Sequence, residues 1–74
     1  MKVRDVLAPL PGKIISLAVT VDTVLDEDDE VLVIEALKTE TVVYAPCVGK
    51  VKAVKVKLGD QVEEDNVLVS IEPQ

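Results

Sequence analysis

Apolar residues occupy every second position along two parts of this chain, residues 17–21 and residues 54–58. A period of two places successive side chains on opposite faces of a β-strand. No segment of useful length shows the 3.6-residue period of a helix. The pattern therefore predicts an all-β chain of short strands.

The alternation slips once in each of these parts. Ile14 stands three positions before Leu17, and Val51 stands three positions before Val54. An extra residue in a strand is typical of a β-bulge, or of a bend where a strand passes between sheets. We expect such an irregularity at the same place in both parts.

The two parts belong to an internal repeat with an offset of 37 residues and no gap. The string APLPGK at residues 8–13 returns as APCVGK at residues 45–50, and ten positions are identical at this register. Reuse of valine alone would not explain the shared Ala-Pro and Gly-Lys pairs. The repeat predicts two halves related by a pseudo-twofold axis.

Turn-forming residues separate the predicted strands at regular intervals. Proline, glycine, aspartate and asparagine cluster at residues 9–12, 48–49, 58–60 and 65–66. Short, evenly spaced strands in two equal halves predict a single domain over residues 1–74, a flattened barrel of two four-stranded antiparallel sheets. The predicted core consists of three repeat-related pairs: Leu17 with Val54, Val19 with Val56, and Ile34 with Ile71.

Composition limits the function more than the fold. The net charge is −6, which argues against binding to nucleic acid or to an anionic membrane surface, and no apolar run has the length of a membrane span. There is no histidine, so the commonest general base and metal ligand is missing. We therefore expect a non-catalytic protein without a metal site. The single cysteine, Cys47, cannot form an internal disulfide, which suits a cytoplasmic protein.

One lysine stands out because of its place in the repeat. Lys38 follows a buried strand near the middle of the chain, and the offset relates it to Met1. The hairpin that holds Lys38 is then equivalent to the place where the two termini meet. The symmetry predicts that Lys38 lies on a tip at the opposite end from the termini.

The residues around Lys38 resemble the biotinyl/lipoyl carrier domains, and most of all the biotin carboxyl carrier domains. EALKT at residues 35–39 is similar to the family's Glu-Ala-Met-Lys-Met, with leucine and threonine in place of the two methionines. APLPG at residues 8–12, APCVGKV at residues 45–51 and LGDQV at residues 58–62 are similar to other motifs of the family. The family also often has glycine where this chain has Asp22 and Asp28, and aspartate tolerates positive φ.

The resemblance implies a swinging-arm carrier with biotin bound covalently to Lys38. Glu35, Ala36, Leu37 and Thr39 would complete the attachment motif. The implied partners are a biotin protein ligase, a biotin carboxylase, and a carboxyltransferase or decarboxylase subunit. Two alternatives stay open: a lipoyl carrier of a 2-oxo acid dehydrogenase or glycine-cleavage complex, and an unmodified structural module.

Overall fold

The computed structural model describes residues 3–74, whose regular elements are all β-strands. They are β1 (Arg4–Leu7), β2 (Gly12–Leu17), β3 (Val24–Leu25), β4 (Glu30–Ala36), β5 (Thr39–Tyr44), β6 (Gly49–Val54), β7 (Gln61–Val62) and β8 (Val67–Pro73). Residues 3–74 contain no helix that is long and apolar enough to cross a membrane.

The strands form two four-stranded antiparallel sheets, ordered β1-β8-β6-β3 and β5-β4-β2-β7. Replacing each strand of one sheet by its counterpart 37 residues away yields the other sheet in the same order. The predicted all-β architecture and the two-copy symmetry are therefore confirmed.

Both predicted bulges are present. The register of β2 against β4 shifts between Ile14 and Ser16, and that of β6 against β8 shifts between Val51 and Ala53. Each extra residue changes which face the rest of its strand presents. The slip in the hydrophobic pattern was therefore a structural signal.

The core fills the space between the sheets with aliphatic side chains. Its largest fully buried members are Ile14, Leu32, Ile34, Leu68, Ile71, Val31, Val51 and Val69. Val19, Val56, Ile34 and Ile71 are buried as predicted, whereas Leu17 and Val54 are only half-buried and pack on the margin of the core.

The strands end earlier than the alternation predicts. β2 stops at Leu17 and β6 at Val54, so Val21 and Leu58 lie in turns and are exposed. The chain leaves each sheet directly after the bulge, and the alternating residues beyond it no longer belong to a strand.

Positive φ angles occur at equivalent turns of the two halves. Asp22 (77°) corresponds to Gly59 (91°), and Asp28 (70°) corresponds to Asp65 (69°). The left-handed conformation expected at Asp22 and Asp28 is thus confirmed. Aspartate fills this role because its short polar side chain makes the conformation less costly than it is for bulkier residues.

Candidate functional site

Lys38 lies in a two-residue turn between β4 and β5. Ala36 pairs with Thr39 directly below the turn, and six residue pairs join the two strands along their length. The side chains of Leu37, Lys38 and Thr39 are exposed. The paired strands below the turn hold its backbone, so Lys38 lies on the tip of the hairpin with its side chain exposed, as predicted.

Leu37 adopts an unusual backbone conformation for its size. Its φ is 55°, and its side chain is 99% exposed. A positive φ at the first turn position fits the tight turns of hairpins, where glycine is the usual residue. Leucine there costs on the order of 1 kcal/mol and buries nothing in return. The paired strands below hold this conformation at the position next to Lys38.

The amine of Lys38 has no ionic partner among residues 3–74. Among residues 3–74 the one ion pair is Lys52 with Glu72, at 3.9 Å between Nζ and Oε2. Removing the Lys38 charge by acylation would therefore leave no carboxylate of the described chain without a partner.

Glu35 belongs to a row of polar residues that crosses the sheet below the turn. Gln61 of β7 pairs with Lys13 of β2, Lys13 pairs with Glu35 of β4, and Glu35 pairs with Glu40 of β5. All four side chains are exposed. The row gives this end of the molecule a charged outer face, of which only Glu35 was singled out from the sequence.

An open groove of about 700 Å³ lies beside the turn. We call it the tip groove; its lining residues are Leu10, Pro11, Gly12, Lys13, Glu35, Ala36, Leu37 and Gln61. The predicted site residues Glu35, Ala36 and Leu37 are among them. The groove was not predicted, because residues 10–13 and Gln61 are distant in sequence from Lys38.

Lys38 and the C-terminus lie at opposite ends of β4. At the N-terminal end of β4, the Ala45 N–H donates to the Asp29 carbonyl (2.8 Å). Three residues beyond Ala45, the Val48 carbonyl accepts a hydrogen bond from the Gln74 N–H (3.1 Å). The seven residues of β4 span about 20 Å. The predicted separation from the C-terminal end is therefore present, whereas Met1, the counterpart of Lys38, lies outside the described residues.

The side chains of residues 3–74 offer no metal centre. No group of three or more histidine, cysteine, aspartate or glutamate residues comes close enough to hold an ion there. The chemistry that this end of the molecule can support is that of an exposed primary amine beside a groove.

Comparison with known proteins places these features in a family. The family described as "Biotin-requiring enzyme" matches residues 4–71. The alpha subunit of mitochondrial methylcrotonoyl-CoA carboxylase from Glycine max is 39% identical over 69 residues, which are 93% of this chain and 9% of that protein.

A relative with other chemistry also matches. The dihydrolipoyllysine-residue acetyltransferase component of the pyruvate dehydrogenase complex from Azotobacter vinelandii is 34% identical over 62 residues, 84% of this chain and 10% of that protein. The chain thus spans about a tenth of the length of these curated relatives.

Among solved structures, the urea carboxylase of Kluyveromyces lactis contains a closely similar domain. The match has a TM-score of 0.89 and 30% sequence identity, and it covers 97% of this chain and 6% of that one. The same barrel of two sheets is therefore part of a much longer carboxylase.

Proposed function

Since the chain belongs to the biotin-requiring enzyme family, the biotinyl/lipoyl domains, we propose that it is a carrier domain with biotin attached to Lys38. A biotin protein ligase would supply the activated carboxyl group of biotin. The ε-amine of Lys38 attacks that carbon, a C–N amide bond forms, the activating group leaves, and the nitrogen gives up a proton. The product is a long, neutral arm on the tip of the hairpin.

The observation that carries this proposal is the placement of an exposed, unpaired amine at the turn of a paired hairpin. Lys38 is exposed, lies between two paired strands, and has no carboxylate within 4.0 Å among the described residues. The ligase can therefore approach the amine without first breaking an ion pair. After attachment, the paired strands fix the point from which the arm swings.

Bound biotin supplies a ring nitrogen that carries a carboxyl group from one active site to another. The domain contributes a tether, because a carrier held within reach of two sites makes each transfer effectively intramolecular. We propose that a biotin carboxylase and a carboxyltransferase or decarboxylase subunit provide these sites. The domain itself performs no catalysis in this scheme, and its location in the cytoplasm stays a prediction.

The modifying enzyme would recognise the residues beside Lys38. The side chains of Glu35, Leu37 and Thr39 are exposed, and Ala36 is half-buried between them and the core. We propose that Glu35 and Leu37 contact the ligase, because both are presented at the tip without contributing to the core. Ala36 pairs with Thr39 directly below the turn.

Lipoylation of Lys38 is the alternative that a specific observation favours. The Azotobacter vinelandii relative is a dihydrolipoyllysine-residue acetyltransferase, and the same exposed amine would suit a lipoate ligase. Leu37 favours biotin, because lipoyl domains usually have an acidic or small polar residue directly before the lysine. An unmodified structural module is the remaining possibility.

Intact-mass spectrometry separates these functions. The purified chain is incubated with ATP and either biotin protein ligase plus biotin or a lipoate ligase plus lipoate. An amide-linked biotin adds about 226 Da and an amide-linked lipoate about 188 Da. We expect the biotin adduct alone. The lipoate adduct alone would assign the lipoyl function, and no adduct from either enzyme would assign the unmodified module.

A further inference from the structure

The tip groove has the size and lining of a small-molecule site. Its volume of about 700 Å³ falls within the usual range for ligand pockets, which are mainly apolar with a few placed polar groups. Apolar groups of the lining come from residues 10–11 and 36–37, and Lys13 and Gln61 add polar groups. Lys38 directly follows Leu37, so an arm on Lys38 starts at the rim of the groove.

The two halves of the molecule provide an internal comparison, because one architecture forms both ends. At the end near the C-terminus, the Gln74 N–H donates to the Val48 carbonyl at 3.1 Å. The repeat equivalents of these residues are Leu37 and Pro11. Within residues 3–74, no backbone hydrogen bond joins Leu37 to Pro11. The fold permits this closing contact, yet the Lys38 end lacks it.

The polar row also differs between the ends. Gln61 corresponds to Val24, and both pair with a lysine, Lys13 and Lys50 respectively. Val24 shows that an apolar side chain is compatible with this position of the fold, and it is 62% exposed. The polar amide of Gln61 beside the tip groove is therefore not required by the architecture.

The polar groups of the tip groove complement a cyclic urea. Lys13 and Glu35 face each other across β2 and β4 but form no ion pair within 4.0 Å. The ammonium of Lys13 and the amide of Gln61 can donate to a urea carbonyl, and the carboxylate of Glu35 can accept from a ring N–H. The apolar walls suit a methylene chain and a thioether ring.

We propose that the tip groove is a seat for the ureido ring of the biotin arm attached to Lys38, occupied when no partner enzyme holds the ring. The inference rests on the proposed function and adds a second binding site to it. The seat distinguishes biotin from lipoate, because a dithiolane ring has neither a carbonyl nor an N–H group to match Lys13, Gln61 and Glu35.

Nuclear magnetic resonance of the biotinylated chain tests the seat. The mass of the sample is verified first, so that attachment of biotin is established separately from binding of its ring in the tip groove. We expect amide shifts at Leu10, Lys13 and Gln61 on modification, and nuclear Overhauser contacts between ring protons and the Leu10 methyl groups. Shift changes confined to residues 37–39, with no contact from the ring, would overturn the proposal.

A pair of repeat-matched variants supplies the control. Gln61→Val installs the residue of the other end and is expected to abolish the shift changes at Leu10 and Lys13. Val24→Gln makes the reverse change away from the groove and is expected to leave them as in the parent. If both variants changed the shifts at Leu10 and Lys13 to the same extent, the result would contradict the proposal.

The seat can be tested even if the ligase does not modify Lys38. A Lys38→Cys variant in a Cys47→Ser background accepts a biotin or lipoyl maleimide at one position. We expect shifts at Leu10, Lys13 and Gln61 with the biotin reagent alone. The same shifts with both reagents, or with neither, would overturn the seat for the cyclic urea.

Discussion

Asp28 and Asp29 are neighbours in one turn, but the structure uses them differently. Asp28 has a positive φ of 70°, and its side chain makes no hydrogen bond among the described residues. Asp29 Oδ2 accepts a hydrogen bond from the Asp26 N–H at 2.9 Å. The other half repeats the arrangement with Asp65 and Asn66, whose Oδ1 accepts from the Glu63 N–H.

Substitutions at Asp28 and Asp29 should therefore have different effects on the free energy of unfolding. Asp28→Gly is expected to be neutral or to raise the free energy of unfolding by up to about 1 kcal/mol, because glycine relieves the left-handed backbone. Asp29→Ala should lower it by about 1 kcal/mol through the lost hydrogen bond. Urea denaturation measures both, and a clear loss of stability in Asp28→Gly would mean that its carboxylate makes an unrecognised contact.

Leu37 and Thr39 replace the methionines of the family motif, and neither side chain touches the core. Changing both to methionine should alter the free energy of unfolding by less than about 0.5 kcal/mol. The rate of biotin attachment should rise, and Thr39→Met should have the larger effect because it changes shape more. Labelling rates at limiting ligase measure this, and a slower double variant would show that the ligase prefers Leu37 and Thr39.

At the scale of elements, close contact between neighbouring strands requires glycine at two positions. A Cβ atom on Gly12 would come within 2.5 Å of Ile34 Cγ2 and 2.6 Å of the Glu35 carbonyl oxygen. Gly49 meets the equivalent atoms of Ile71 and Glu72. Glycine at both positions lets β2 and β6 lie directly against β4 and β8.

Gly12→Ala should consequently lower the free energy of unfolding by about 1–3 kcal/mol, because the added methyl group overpacks a strand junction. Gly59→Ala is a matched control, since nothing lies within 4 Å of its Cβ position and only its φ of 91° opposes alanine. Thermal or urea unfolding measures the free energy of unfolding of both variants. A Gly12→Ala variant as stable as the parent protein would show that β2 and β4 separate easily.

The repeat and the parity slip were enough to predict the two sheets and both bulges from the sequence. The ends of β2 and β6 were predicted too late, because alternation continues through Val21 and Leu58 after hydrogen bonding stops. The alternation also places Leu17 and Val54 in the core, whereas in the structure both are half-buried at its margin. The tip groove has no local sequence signal, because the fold assembles it from three separate segments.

At the scale of the whole molecule, two halves with the same strand order have different ends. Ile34 and Ile71 are both completely buried, one in each sheet. The halves differ at some core positions, such as Leu32 and Val69, but the larger contrast is between the open Lys38 end and the end that Gln74 closes. The shared core provides stability, and the surface of one end carries the proposed function.

The symmetry makes a quantitative prediction about that core. Ile34→Ala and Ile71→Ala should each lower the free energy of unfolding by about 2–5 kcal/mol, since each leaves a cavity among aliphatic side chains. The two losses should agree within about 1 kcal/mol, and either is large for so small a domain. Urea denaturation measures them, and a small loss at one site only would contradict the equivalence of the halves.

The central claim is that Lys38, and no other lysine, is the attachment residue. The most direct measurement is fragmentation mass spectrometry of the chain after incubation with biotin protein ligase, biotin and ATP. We predict an adduct of about 226 Da on Lys38 alone, and none on Lys38→Arg, which keeps the charge but not the reactive amine. An adduct on another lysine, or one that persists in a folded Lys38→Arg variant, would contradict the account.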